Sequence, residues 1–274
     1  MPAIDIHAIR AAAGASGLAI EVADEAGSTN RVLMDAPFGQ APSPARLLAV
    51  ARQTAGRGRQ GRGWVMEPGR SAAFSVAIER YEDRAGPAVG LSIAVGVAAA
   101  EALAGFADGV GIKWPNDLQR AGHKLGGVLV ESRRGPAAGP PLERYVVGIG
   151  LNLLAPRDGQ GAIGQPVTGL FDGETCPLPA ERVIGRVAAA VAEAAGVFFR
   201  EGLAPFADGW HRLDRLRGRQ VMVLSGGRVE MAGLARGIDD QGALLLDTGR
   251  GLATVRHGEV SVRAVPDGRP LAEA

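Results

Sequence analysis

Residues 53–64 read QTAGRGRQGRGW. Within them Gly56-Arg57-Gly58-Arg59-Gln60-Gly61 is a formal G-x-G-x-x-G, and it follows RLLAVARQT (46–54), an apolar run suited to a strand. A dinucleotide fingerprint here would make the chain a doubly wound parallel sheet. It would also require a helix to begin at once, so that the helix N-terminus receives the pyrophosphate. Instead RGWVMEPGR (62–70) follows, with glycines and a proline where that helix should run. The phosphate-binding G-x-x-x-x-G-K-[ST] pattern is absent as well. The stretch therefore predicts a loop clamped between two strands. Two uses for its three arginines stay open. One is a flexible Arg-Gly segment that touches RNA without specificity. The other is an anion site, in which backbone N–H groups and guanidinium groups surround a phosphate. In the second case like charges oppose ordering, and the loop is expected to act as a lid that closes when an anionic substrate arrives.

Outward from that loop, SAAFSVAIE (71–79) predicts a strand, with Phe74, Val76 and Ile78 alternating against Ser75 and Ala77. SGLAIEVADEAGSTN (16–30) reads as a short strand running into a turn, and GSTN (27–30) suits a strand-to-helix junction with Ser28 or Thr29 as helix cap. Residues 91–106 predict a buried helix. GVGIKWPNDL (109–118) enters as a strand and is stopped by Pro115. HKLGGVLVES (123–132) and ERYVVGIGLNLL (143–154) predict two more strands, joined by an exposed connector rich in Gly and Pro, RRGPAAGPP (133–141). After Pro179 a long helix is expected, its apolar stripe formed by Val183, Val187, Val191, Ala194 and Phe198. From about residue 216 four or five short strands separated by SGG, DDQG and TGRG turns predict a small β-barrel. The domains expected are thus 1–215 and 216–274.

The composition narrows the class. The chain has 274 residues, 46% of them apolar and 22% charged, with a formal net charge of +1. That is ordinary for a globular protein and gives no global electrostatic case for nucleic acid or acidic lipid, so any anion site must be local. A single cysteine, Cys176, excludes an intramolecular disulfide and fits a reducing compartment, so a cytoplasmic location is expected. The histidines lack metal-ligand spacing. The N-terminus lacks the basic start and unbroken apolar core of a signal peptide, and no segment reads as a membrane span.

Three further segments bear on chemistry. Lys113, Asn116 and Asp117 surround the proline-stopped strand end, where an Asn-Asp pair is also a plain turn. Lys124 precedes Gly126 and Gly127, which permit a ligand to lie against the backbone; alone it would be a solvated surface lysine. Asn152 interrupts an apolar strand, where a buried amide needs partners.

In this order and spacing, STN, QTAGRGRQGRGW, KWPNDL, KLGGVLVE and GIGLNL resemble the catalytic domain of biotin protein ligases, also called biotin–[acetyl-CoA-carboxylase] ligases. The resemblance implies an α+β fold: a mixed, mostly antiparallel sheet flanked by helices, like class II aminoacyl-tRNA synthetases, followed by a small C-terminal SH3-like β-barrel. It implies that biotin and ATP, with Mg²⁺, give biotinyl-5′-AMP, and that the acyl group passes to a lysine of a biotin carboxyl carrier protein. By the same resemblance Ser28, Thr29 and Gln53 hold the biotin ureido end, with Asn30 completing that motif among the biotin-binding residues. Arg57, Gly58 and Arg59 close over biotin and phosphates, and Trp64 shapes the adenine side. Asn116 and Asn152 bind nucleotide, Lys124 contacts the reacting carboxylate and α-phosphate beside Gly127, and Asp117 manages Mg²⁺ or the incoming amine. Lys124, Arg59 and Asp117 are the expected catalytic set. Only 27 residues precede Ser28, too few for a helix-turn-helix domain and linker, so the form without DNA binding is expected, as monomer or homodimer. A lipoate or octanoate ligase or transferase on the same scaffold, or a non-enzymatic Arg-Gly nucleic-acid binder, are the alternatives.

Overall fold

The computed structural model describes residues 4–81, 90–135, 141–157, 166–256 and 260–265. In chain order its elements begin with α1 (Ile6–Ala13), β1 (Ala19–Ala26), α2 (Thr29–Asp35) and β2 (Arg46–Gln53). The arginine loop follows as β3 (Gly56–Arg57) and β4 (Gly63–Trp64), and then come β5 (Ser71–Tyr81) and α3 (Leu91–Ala104). A meander of β6 (Val110–Lys113), β7 (Asp117–Arg120), β8 (His123–Arg134) and β9 (Leu142–Asn152) leads to α4 (Ala180–Glu201) and α5 (Ala207–Leu213). The chain closes with β10 (Gln220–Ser225), β11 (Arg228–Ile238), β12 (Leu244–Asp247), β13 (Leu252–Val255) and β14 (Val260–Ala264).

Seven strands form one sheet in the order β1-β2-β5-β9-β8-β7-β6. Only β1 and β2 run parallel, joined through α2; every other neighbour is antiparallel. The mixed, mostly antiparallel sheet matches the expectation. The alternation in β5 and β9 divides its faces. Phe74, Val76, Val147 and Ile149 point into the main core with α1, α3 and α4. α3 is apolar on all sides and accordingly buried nearly throughout, whereas α4 buries the expected stripe from Val183 to Ala194. Each fully buried side chain of this size stabilises the fold by about 1.5–3 kcal/mol. On the opposite face α2 packs its Leu33 against Leu48, Val50, Ala77 and Val146, a second and much smaller core that leaves the rest of that face open.

The short β7 is absent from the sequence-based expectation, which treated the Pro115 turn as a strand end. Instead the chain turns at 114–116, pairs Lys113 with Asp117 across the turn and goes on antiparallel. The GP-rich connector joins a hairpin, since Arg134 pairs with Glu143 and the Gly135 N–H donates to the Leu142 carbonyl; residues 136–140 lie outside the described part. The C-terminal strands form an antiparallel sheet in the order β13-β12-β11-β10-β14. Register shifts in β10 and β11 mark bulges, the usual means of bending small sheets. No pairing closes β13 onto β14 among the described residues; residues 266–274 of the expected barrel lie outside them.

Candidate active site

The open face of the large sheet forms the floor of a cavity of about 580 Å³, a volume suited to a small-molecule ligand. The floor is low because β5 and β9 carry small residues there: Ala73, Gly148 and Gly150. A Cβ on Gly148 would strike the Asn30 amide, and one on Gly150 would strike the Trp64 indole. These two glycines let one polar and one aromatic side chain lie directly on backbone. Ser28 caps α2, its hydroxyl accepting from the Arg31 N–H, and so delivers Thr29 and Asn30 to the floor. Both are buried, and Thr29 donates its backbone N–H to Gln53 Oε1 at 2.9 Å.

The arginine loop forms the roof. Gly56 and Arg57 pair with Trp64 and Gly63, and Gln60 adopts a left-handed conformation (φ 57°) at the tip. Self-repulsion led to the expectation of a loop left unordered until an anion arrives. In the structure each guanidinium meets an acceptor, which offsets the repulsion among them. Arg57 pairs with Glu131 at 2.8 Å, Arg59 donates to Asn116 Oδ1 at 3.2 Å and Arg62 donates to Gln60 Oε1 at 2.7 Å. Burial, with Arg62 nearby, holds Arg59 below the ordinary arginine range, although Asp117 acts in the opposite direction.

The third wall is the β6–β8 meander. Lys124 Nζ lies 2.6 Å from Asp117 Oδ1, and Lys113 Nζ lies 3.9 Å from Asp117 Oδ2. Burial pushes the Lys113 amine down; Asp117 counters this, while Lys124, Arg263 and Arg62 add to it. Asn116 spends its amide N–H on the Val128 carbonyl and its oxygen on Arg59, so it braces the roof against the wall. Gly127 stands in register with Asp117 on the neighbouring strand.

Of the residues expected at the site, Ser28, Thr29, Asn30, Gln53, Arg57, Gly58 and Arg59 all line this cavity, as do Trp64, Asn116, Asp117, Lys124 and Gly127. Asn152 does not. It sits buried at the end of β9, where its amide N–H donates to the Thr168 carbonyl at 3.2 Å, fastening the 166–171 segment to the sheet. That buried carbonyl partner satisfies the amide and leaves it outside the lining. Lys113 and Arg62 stood within the quoted motifs without an assigned role, and both line the cavity. The sequence reading missed Arg215, Arg219 and Arg263 entirely. Arg263 lies on β14 of the second sheet, which forms the fourth wall with Val260 and Val262. No local pattern marks these three, because they reach the site only through tertiary folding. Among the described residues the lining thus gathers three loop arginines, two lysines and three distant arginines against one carboxylate, Asp117. An enclosure of this charge selects polyanions.

One carboxylate already paired with a lysine is a poor resident metal site, and no cluster of three or more His, Cys, Asp or Glu occurs among the described residues. The donor set would suit a Mg²⁺ carried in by phosphates and not one held by protein ligands alone.

Comparison with known proteins agrees with this geometry. Residues 23–152 match the model of the Biotin/lipoate A/B protein ligase family, and residues 217–263 match that of the Biotin protein ligase C terminal domain. The chain is 35% identical over 240 residues to the bifunctional ligase/repressor BirA of Escherichia coli, covering 86% of this chain and 72% of that protein. It is 32% identical over 268 residues to the biotin–[acetyl-CoA-carboxylase] ligase of Mycobacterium tuberculosis, covering 94% and 96% of the two. Among solved structures, the biotin protein ligase of Aquifex aeolicus in complex with biotin and ATP aligns with a TM-score of 0.72 at 25% identity, over 90% of this chain and 99% of that one.

Proposed function

The chain belongs to the biotin/lipoate A/B protein ligase family, and from that premise we propose that it is an ATP-dependent biotin ligase. It joins biotin to ATP as biotinyl-5′-AMP with release of pyrophosphate, then transfers the biotinyl group to the ε-amine of a lysine on a biotin carboxyl carrier protein. The observation that carries this is the pairing of a neutral hydrogen-bonding floor with a strongly cationic roof and walls. A urea-like ring with a carboxylate tail suits the first, and a triphosphate suits the second.

Thr29, Asn30, Gln53 and Ser28 bind the ureido end, offering both donors and acceptors. The carboxylate and the α-phosphate are both anions, so their approach needs fixed positive charge. Lys124 and Arg59 supply it without reorganisation, and one such preorganised group is worth about 2.7–4 kcal/mol in the transition state. Arg62, Lys113 and Arg263 hold the phosphates that leave. Asp117 would hold the Mg²⁺ that arrives with ATP, and the ion would supply further neutralisation of the phosphate oxygens. Trp64 stacks over the floor beside the site, and the loop keeps water from the mixed anhydride. For transfer the carrier amine must lose a proton, and Asp117 is the carboxylate within the lining that accepts it. It acts as a monomer or as a homodimer.

The test is direct: incubation with ATP, Mg²⁺ and biotin, followed by mass spectrometry of the bound product, with lipoate in a parallel reaction. Biotinyl-5′-AMP with biotin and no adenylate with lipoate is expected. Lipoyl adenylate alone would reassign the chain to the other branch of its family.

A further inference from the structure

Behind the cavity floor runs a hydrogen-bonded chain that ends on the roof. Thr29 Oγ1 lies 3.2 Å from Gln53 Oε1 and 2.6 Å from Ser75 Oγ, and Ser75 Oγ donates to Asn30 Oδ1 at 2.6 Å. Asn30 Nδ2 then donates to Glu131 Oε2 at 2.9 Å, and Glu131 Oε1 accepts from Arg57 at 2.8 Å. Thr29, Asn30 and Ser75 are all buried, Ser75 completely.

The direction of this chain is fixed from its Glu131 end. An ionised carboxylate only accepts, so Asn30 must turn its NH₂ toward Glu131 and its carbonyl toward Ser75. Ser75 then spends its one proton on Asn30, and because Gln53 Oε1 already accepts the Thr29 backbone N–H, Thr29 can give its hydroxyl proton to Ser75 Oγ. Thr29 Oγ1, on a residue that lines the cavity, then keeps an acceptor position open for a ligand N–H. At the other end the carboxylate divides its oxygens between floor and roof. Glu131 is three-quarters buried, so losing Arg57 would leave a desolvated charge held by one amide. Loop and floor share this group, so a floor held in place by its ligand also holds the carboxylate in position for Arg57.

We propose that Glu131 is a positioning residue that links filling of the Thr29–Ser75–Asn30 floor to closure of Arg57 over the cavity. This rests on biotin being the molecule that fills the floor. A ring with ureido N–H groups supplies that donor, and by holding Thr29 and Asn30 in place it holds Glu131 in position for the loop. The coupling is reciprocal, so a loop held shut by Glu131 also tightens the floor on its ligand.

The experiment is a double-mutant cycle on biotin affinity, measured by titration calorimetry on the full chain with Ser75→Ala, Arg57→Met and both together. Each single change is expected to weaken binding. The double variant should be at least 5-fold tighter than the product of the two effects, because breaking the chain once already uncouples its ends. Repeating the cycle with Glu131→Gln, which keeps an acceptor for Asn30 but loses the charge for Arg57, should restore simple multiplication. A second readout spares the buried serine: biotin should slow tryptic cleavage after Arg57 in the wild type and much less in Glu131→Gln. Multiplicative effects in the presence of Glu131, or equal protection in the wild type and Glu131→Gln, would overturn the linkage while leaving biotin binding intact. Wild-type protein that gives no heat with biotin would overturn the ligase function and the linkage with it.

Discussion

Lys124 and Asp117 sit 2.6 Å apart, and Lys113 approaches the same carboxylate from the other side at 3.9 Å. In this cluster Lys113 has the distinctive titration, because burial and its cationic neighbours Lys124, Arg263 and Arg62 lower it more than Asp117 raises it. Its charge is fully present only below that depressed value and is lost as pH rises through it, earlier than for an exposed lysine near about 10.4. ATP affinity is therefore expected to fall on the alkaline side in the wild type and to hold to higher pH in Lys113→Arg, whose guanidinium stays charged. Superimposable calorimetric pH profiles would contradict this. At this scale much was legible: residue types inside the STN, GRGRQG and WPND stretches reached one cavity. Asn152 shows the limit. Its sequence context asked for a partner, and a backbone carbonyl at Thr168 supplied one.

The elements are held to the site by interactions of a different kind. Arg144 on β9 is almost wholly buried and grips the end of α2 through the carbonyls of Leu33, Ala36 and Pro37, while pairing with Glu79 on β5. Its guanidinium also lies 4.1 Å from the Phe38 ring centre. Removing it strands a buried carboxylate, so Arg144→Met should cost about 3–5 kcal/mol in urea denaturation, with α2 losing its anchor. Burial alone would raise Glu79, but hydrogen bonds from Arg144 and Ser43 outweigh it and leave the carboxyl below its usual range. The stability this contributes is complete above the unfolded value of about 4.3 and is lost as pH falls through the lower native value. Glu79→Gln should therefore flatten the acid limb of stability against pH; an unchanged limb would rule the pair out as its source. Strands and helices with clear periodicity, such as β5, β9, α3 and α4, were legible. The four-residue β7 was not, because it is too short to show a period and follows a proline turn that resembles a stop. Nor were the partners of the arginine loop, since Glu131 and Asn116 come from other elements.

Across the whole molecule the second sheet is part of the site. Trp114, buried at the Lys113–Asp117 turn, donates its indole N–H to the Gly242 carbonyl at 2.9 Å, docking that sheet against the first. Gln60 at the loop tip reaches the Val260 carbonyl of β14 at 3.5 Å, so roof and fourth wall touch. Arg263 on the same strand faces the cavity. Arg263→Ala is expected to weaken ATP binding about 10-fold, the worth of one hydrogen bond to a charged group, with biotin affinity changed less than 2-fold. Equal losses for both ligands would indicate a general collapse of the wall. The existence of a small β domain was legible in its turn spacing. Its share of the cavity was not, because no feature within residues 216–265 marks which strand faces the first sheet.

The most direct measurement is biotin-dependent exchange of labelled pyrophosphate into ATP, on the wild type and on Lys124→Ala. Exchange by the wild type, reduced about 100- to 1,000-fold in the variant while its thermal unfolding is unchanged, is the expected result. Exchange that survives Lys124→Ala intact would contradict carboxylate activation in this cavity, and a wild-type protein without exchange would contradict activation altogether.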